Sequence, residues 1–565
     1  MKLAKWGAVF VAATSLSSAG FCGLQADEKK PFDVRLQIAT DARDAENSVF
    51  EEAVASGKYD SLLALGQMGE KGCKKLVPYL RSSNTNLKAA AAKASAYCQD
   101  PEMSEALLEA FAGMKGEARR PWLKALGFSG GAAGKAKLVA MLAEPYMNSD
   151  MRAEVAYALM QNIVYDRAKA SELEGFDPAP LIEMIRTGEH AGVAAYMMAR
   201  FADLPTIWPA EEFYALLDEK LAAAADLSID EREPVRVMVR LAREYGDSST
   251  KVLLRIAKDM PASLALEAVR SMGRLSDADT RAYLMALADG DGTSATRHLA
   301  VASMGTRAAS DPSLVPVVAQ YVGDDNRWVA ATALGALGRL DGSTANEVAG
   351  EWLAGEDYYL AFMGLSALTV SDDGKAILQE YTDANKDTVR GYEAAVALDP
   401  AIEGNVAPRK SPKYSLVEAY AKRDLVLETT RGEVCITSTG DAPYAYTNFL
   451  ALADYGKMDG MLWHRVIPGF VAQAGQVENP ELNKWGSIRE EWGGEHEIGT
   501  VGVATAGRDT GTVQFFINTG FNRHLTGRYT VFGRVTKGME HVFMLEEGDV
   551  IAKASTVQKN SARCQ

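Results

Sequence analysis

The chain has 565 residues, enough for three or four units at about 150 residues per domain. It is 47% hydrophobic and 24% charged, which supplies a core and excludes wholesale disorder. The net charge is −15 with no long Lys/Arg run, so the basic face that a duplex-binding protein needs is missing and nucleic acid is not an expected partner.

Residues 1–26 read as an export signal. Lys2 and Lys5 precede an apolar run from Trp6 to Ala13, small residues continue to Gly20, and Leu24-Gln25-Ala26 is an acceptable cleavage site. A first helix of the mature protein is the plain alternative. Cys22 offers a lipoprotein reading, against which stands Phe21, where that pattern wants a small side chain. No later run reaches the roughly 18 apolar residues of a membrane-crossing helix. The expectation is an exported protein of the bacterial periplasm or cell envelope, with no transmembrane segment in the mature chain.

Removing the signal leaves Cys73, Cys98, Cys435 and Cys564. An even count in an oxidising compartment permits disulfides. A Cys73–Cys98 bridge would contribute roughly 3 kcal/mol by closing its loop. Cys435 and Cys564 can pair only if the two ends of the last domain meet. Four free, partly buried thiols is the equal alternative. There is no CxxC and the six histidines are scattered, so spacing suggests no metal site.

Residues 27–400 form one Ala- and Leu-rich stretch that repeats itself from about Glu46 to Asp399. Ala64-Leu65-Gly66, Ala125-Leu126-Gly127, Ser271-Met272-Gly273, Ser303-Met304-Gly305 and Ala336-Leu337-Gly338 are variants of one block, the last three spaced 32 and 33 residues apart (273 to 305 to 338). A period of about 30 to 33 marks a repeat array. Val329, Ala333, Leu334 and Leu337 make one helical stripe, and Leu314, Val317, Val318 and Tyr321 another, with Gly323-Asp324-Asp325-Asn326 as the turn between. Each unit is thus a helical hairpin, and hairpins that cannot bury their apolar faces alone stack into a solenoid. The text resembles short HEAT-type repeats, about ten of them.

Three features of this stretch look chemical and read better as structure. Gly127-Phe128-Ser129-Gly130-Gly131 fits the G-x-S-x-G nucleophile pattern but sits where other repeats end a helix, with no strand before it. Asp289-Gly290-Asp291-Gly292 hints at a calcium loop, yet Ser294 and Ala300 stand where the glycine and the closing glutamate belong. Met197, Met198 and Met304 are core.

Residues 401–423, with Pro408 and Pro412, read as a linker. From 424 to 565 the texture turns β-rich: Leu425–Thr429 and Gly432–Thr437 flank Thr430-Arg431-Gly432, a hairpin signal. Ordered blocks follow, among them Trp463-His464-Arg465-Val466-Ile467-Pro468-Gly469-Phe470-Val471-Ala472-Gln473, Gly502-Val503-Ala504-Thr505, Gln514-Phe515-Phe516-Ile517 and Leu525 through Tyr529-Thr530-Val531-Phe532-Gly533. In their order and spacing this domain resembles a cyclophilin-type peptidyl-prolyl cis/trans isomerase.

The resemblance implies a closed β-barrel with flanking helices, proline-containing polypeptides as substrates and no cofactor or metal. Arg465 matches the catalytic position. Phe470, Val471, Phe516 and Leu525 match the wall that holds the proline ring. Gln473 matches the side chain that fixes the substrate carbonyl, and Ala504, Thr505 and Gln514 the remaining groove. His464 matches an inward-packing structural position. His524 stands where the best-known eukaryotic members have a rim tryptophan, and Tyr529 where they have a histidine. Losing the indole donor should weaken cyclosporin binding more than catalysis. Taken singly, the phenylalanines would be ordinary core residues and Arg465 a surface ion pair.

The whole chain therefore reads as a multidomain, exported folding enzyme whose solenoid binds client or protein partners. The alternative is a non-catalytic envelope scaffold whose C-terminal pocket only grips proline-containing segments, favoured by His524 and by a Glu491–Gly499 stretch that looks shortened.

Overall fold

A computed structural model describes residues 30–98, 101–163, 169–291, 293–340, 342–399, 412–476 and 486–565. The segment read as an export signal, with Cys22, lies outside these residues, as does the part 401–411 of the segment read as a linker.

From Phe32–Asp41 to Val389–Leu398 the described elements are helices joined by short turns. Polar side chains start many of them. Asn84 accepts the amide hydrogens of Asn86 and Leu87 ahead of Thr85–Ser95, and Ser228 and Glu231 form a capping box ahead of Ile229–Ala242. The helices stack in series: Ile229–Ala242 packs on Ala262–Met272, that on Ser294–Ala308, that on Arg327–Leu340, and that on Tyr358–Leu368.

The repeated glycines mark where these helices touch. A Cβ on Gly127 would lie 2.5 Å from the carbonyl oxygen of Ala158, and one on Gly305 2.5 Å from the Cβ of Ala336. The serines of the same blocks also serve the stacking, because Ser303 Oγ donates to Val269 O at 3.1 Å and Ser129 Oγ to Ser95 O at 2.7 Å. Ser129 is thus a buried helix-end residue bonded to the neighbouring helix. Asp289 accepts a hydrogen bond from the Tyr321 hydroxyl at 2.6 Å, and Met197, Met198 and Met304 are fully buried. Disulfides join Cys73 to Cys98 and Cys435 to Cys564, which settles the question left open by spacing. Among the described residues no helix is long and apolar enough to cross a membrane.

The segment read as a linker holds a helix, Tyr414–Tyr420, whose Val417 and Tyr420 are buried. Eight strands follow: β1 (Arg423–Thr429), β2 (Gly432–Ser438), β3 (Leu462–Ile467), β4 (Val471–Gln476), β5 (Thr500–Val503), β6 (Phe515–Asn518), β7 (Val531–Lys537) and β8 (Ile551–Gln558). They form one antiparallel sheet in the order β3-β4-β6-β5-β7-β2-β1-β8. The sheet is curled, and its edges meet at the bridge Leu462–Val550, where Trp463 N donates to Asp549 O at 2.8 Å. The barrel expected from the sequence is therefore joined at a bridge and not by a β3–β8 ladder among the described residues. Phe449, Trp463, Phe515 and Phe532 fill it, with Phe449 and Phe532 stacked at 4.4 Å.

The helical stretch holds this β unit along much of its own length. Asp41 pairs with Arg489 at 2.7 Å, Gln67 donates to Trp492 O at 2.7 Å, and Tyr97 stacks on Trp492 at 5.3 Å. Further along the chain His298 meets Glu547 at 3.2 Å, and the ring of Phe362 lies 6.3 Å from that of His464.

Candidate active site

Strand register gathers the groove. Arg465 on β3 stands opposite Gln473 on β4, which stands opposite Phe516 on β6. Arg465 Nη1 donates to Gln473 Oε1 at 3.2 Å, and Gln473 Nε2 donates to Gln514 Oε1 at 3.1 Å. Two amides in series thus aim an exposed guanidinium. The turn Ile467–Phe470, closed by Phe470 N to Ile467 O at 3.0 Å, needs Gly469 at φ +63° and swings the Phe470 ring to 5.5 Å from that guanidinium.

Phe516 is 5% exposed. Its ring meets the edge of Tyr529 at 5.8 Å and is backed by His496 at 5.4 Å. The sequence reading missed His496. It is fully buried, its Nδ1 lies 3.1 Å from the Asn518 amide nitrogen, and burial lowers its pKa to about 4, so it is a neutral prop for the pocket floor. Gly502 leaves room for both rings, since a Cβ there would lie 2.5 Å from Phe516.

The other expected residues fall beside this row. Ala504 N donates to Gln514 O at 3.0 Å, and Thr505 continues the same segment. Val471 opens β4 and is nearly closed to solvent, while Leu525 ends the short turn Arg523–Leu525 on the opposite side. His464, on the other face of β3, is buried against Phe362, and desolvation lowers its pKa to about 4.

His524 stands on the rim with a partner that the sequence did not announce. Its ring lies nearly parallel to Phe470 at 5.8 Å and to Tyr196, from the helical stretch, at 5.6 Å. The Tyr196 hydroxyl is 2.9 Å from His524 Nδ1. Burial first, and then the positive charges of Arg200 and Arg240, push its pKa well below the usual imidazole value, so the ring is neutral. Behind β3, lined by Val466 but not by Arg465, a separate cavity of about 650 Å³ runs between the two regions.

A guanidinium steered by amides, beside an aromatic pocket open to solvent, can donate to a developing lone pair while gripping an apolar ring. On a curled antiparallel sheet, that combination defines a prolyl cis/trans isomerase of the cyclophilin type. The family model described as "Cyclophilin type peptidyl-prolyl cis-trans isomerase/CLD" matches residues 425–562. Peptidyl-prolyl cis-trans isomerase B of Bacillus subtilis is 44% identical over 114 residues, covering 20% of this chain and 80% of that one. A peptidyl-prolyl cis-trans isomerase of Helicobacter pylori is 37% identical over 140 residues, covering 24% and 83%. A solved cyclophilin-type isomerase of Cryptosporidium parvum aligns with 24% of this chain and 98% of its own, at 23% identity and a TM-score of 0.22. Through its C-terminal unit, the chain belongs to the cyclophilin-type peptidyl-prolyl cis-trans isomerase family.

Proposed function

We propose that the protein is an exported folding enzyme in which Arg465 accelerates rotation about X–Pro bonds of client polypeptides. Unaided rotation faces a barrier of nearly 20 kcal/mol, set by amide resonance. As the bond twists, the prolyl nitrogen becomes pyramidal and gains a lone pair. A guanidinium donor beside that nitrogen makes a bond that exists only in the twisted state, which is differential stabilisation. Phe470, Val471, Phe516, Leu525 and Tyr529 hold the ring, Gln473 fixes the substrate carbonyl, and Ala504, Thr505 and Gln514 line the remaining groove. The observation that carries this reading is the Arg465–Gln473–Gln514 chain.

The division into a signal at 1–26, a HEAT-type solenoid at 27–400, a linker at 401–423 and the isomerase at 424–565 belongs to the same proposal. Serial stacking through glycine contacts supports the solenoid, and two disulfides support an oxidising compartment such as the periplasm. The solenoid binds client or partner proteins and raises their effective concentration at the groove. Because residues from Asp41 to Phe362 already touch the β unit, clients use the faces turned away from it.

Isomerisation of a short Ala-Pro peptide tests the activity. The full chain should accelerate it, and Arg465→Ala should do so about a hundredfold less well. Equal rates for the two proteins would sink the enzymatic reading and leave a pocket that only grips proline segments.

A further inference from the structure

The loop Gly520–Leu525 forms one side of the groove and is anchored from both directions. Toward the β unit, the Asn522 side-chain amide donates to Asn518 Oδ1 at 2.9 Å, and Asn522 N donates to His496 O at 3.1 Å. Toward the helices, three helices that pack one on the next take hold of it. Gln161, on Ser149–Ile163, donates to Arg523 O. Tyr196, on Ala191–Met198, packs edge-on against Phe521 at 5.5 Å and hydrogen-bonds His524. Glu233, on Ile229–Ala242, accepts the Phe521 amide hydrogen at 2.9 Å.

Glu233 is itself held. Arg236 donates to it at 2.6 Å and also pairs with Glu267, and all three side chains are buried. The same Arg236 fills the space where a Cβ of Gly469 would lie, and a Cβ on Gly520 would meet both Gly469 O and Glu233. The two glycines are thus thinned where the helical stretch approaches the groove. Phe521 completes the picture by packing against the helical core and not against the barrel core.

From this arrangement we infer that the helical stretch supplies the outer wall of the isomerase groove, with Tyr196 as a positioning residue that fixes His524 and, through the loop, the proline pocket. The inference rests on the reading of that groove as the substrate site. Phe470, His524 and Tyr196 form one aromatic row from the pocket to the helices. A substrate that touches Phe470 or Leu525 therefore meets a surface set by a residue outside the catalytic fold.

The test compares kcat and KM of the full chain, Y196F, Q161L and R465A on an Ala-Pro peptide, with thermal melts alongside. Y196F removes one hydroxyl, and KM should rise about fivefold while kcat stays within about twofold, the size of one lost neutral hydrogen bond. Q161L should raise KM about twofold. If Y196F loses its native melt, Q161L carries the test. Wild-type KM in both variants, or a lower melting point with unchanged kinetics, overturns the inference while leaving the activity intact. A wild-type rate in R465A overturns the underlying reading, and the inference with it.

Discussion

In the β unit the residues of the groove are neighbours by register. Arg465, Gln473 and Phe516 face one another across three strands, and a motif read along the chain reports that register directly. In the helical stretch, Gln161, Tyr196 and Glu233 share only a place on three helices that pack in series and lean on one loop. The first region declares its role in its text, and the second acquires one only when the two regions meet. A site can therefore have one wall that sequence comparison reads and another that it does not.

The largest expected effect sharpens this contrast. On the chain-entropy account, Cys435→Ala with Cys564→Ala should cost about 5 kcal/mol, because that bridge closes a far longer loop, and Cys73→Ala with Cys98→Ala about 3 kcal/mol. Urea melts of the two double variants check the order, and a reversed order would break the chain-entropy basis of the contrast. In the groove, Arg465→Ala should lower kcat/KM about a hundredfold, as for loss of one preorganised donor, read in a peptide isomerisation assay.

A smaller effect is set by pH. Burial raises the Glu491 pKa from 4.5 to about 7, so between those values the folded chain holds the proton that the unfolded chain releases. Its contribution to stability is full below about pH 4.5 and lost as pH rises through about 7. Glu491→Gln cannot titrate, so the stability of the variant relative to its parent should improve by on the order of 2 kcal/mol from pH 5 to pH 8. His464 and His496, lowered to about 4, act in the opposite sense over an overlapping range, and taking the difference between variant and parent cancels them. Thermal melts at the two pH values decide it. The smallest effect belongs to the helices. Gly127→Ala places a methyl against Ala158 O and should cost about 1 to 2 kcal/mol in a denaturant melt.

Much of the β unit was legible because its chemistry is local. The Thr429–Gly432 hairpin and the Arg465 block both lie within a few residues of what they pair with. The helical character of the N-terminal region was legible in its apolar stripes, and close contacts between packed helices give the physical reason for the glycines of the Ala-Leu-Gly blocks. His496 was missed because its partners, Phe516 and Asn518 on β6 and the backbone of Tyr529, lie 20 or more residues further along the chain. The prolines and lysines of 401–423 hid Tyr414–Tyr420, whose Tyr420 hydroxyl donates to Asp454 at 2.9 Å. Tyr196 lies 328 residues from His524, and nothing near it in sequence points to that partner.

The spread of contacts from Asp41 to Phe362 bears on how such a protein can change. A catalytic unit on a flexible string can be exchanged for a cousin without consequence for the rest of the chain. Here a transplanted barrel would have to bring a tryptophan that suits Tyr97, an arginine that suits Asp41 and a rim ring that suits Tyr196. Drift in the loop at 520–524 and drift in the helices that hold it are therefore tied, and inheritance must treat the two regions as one piece.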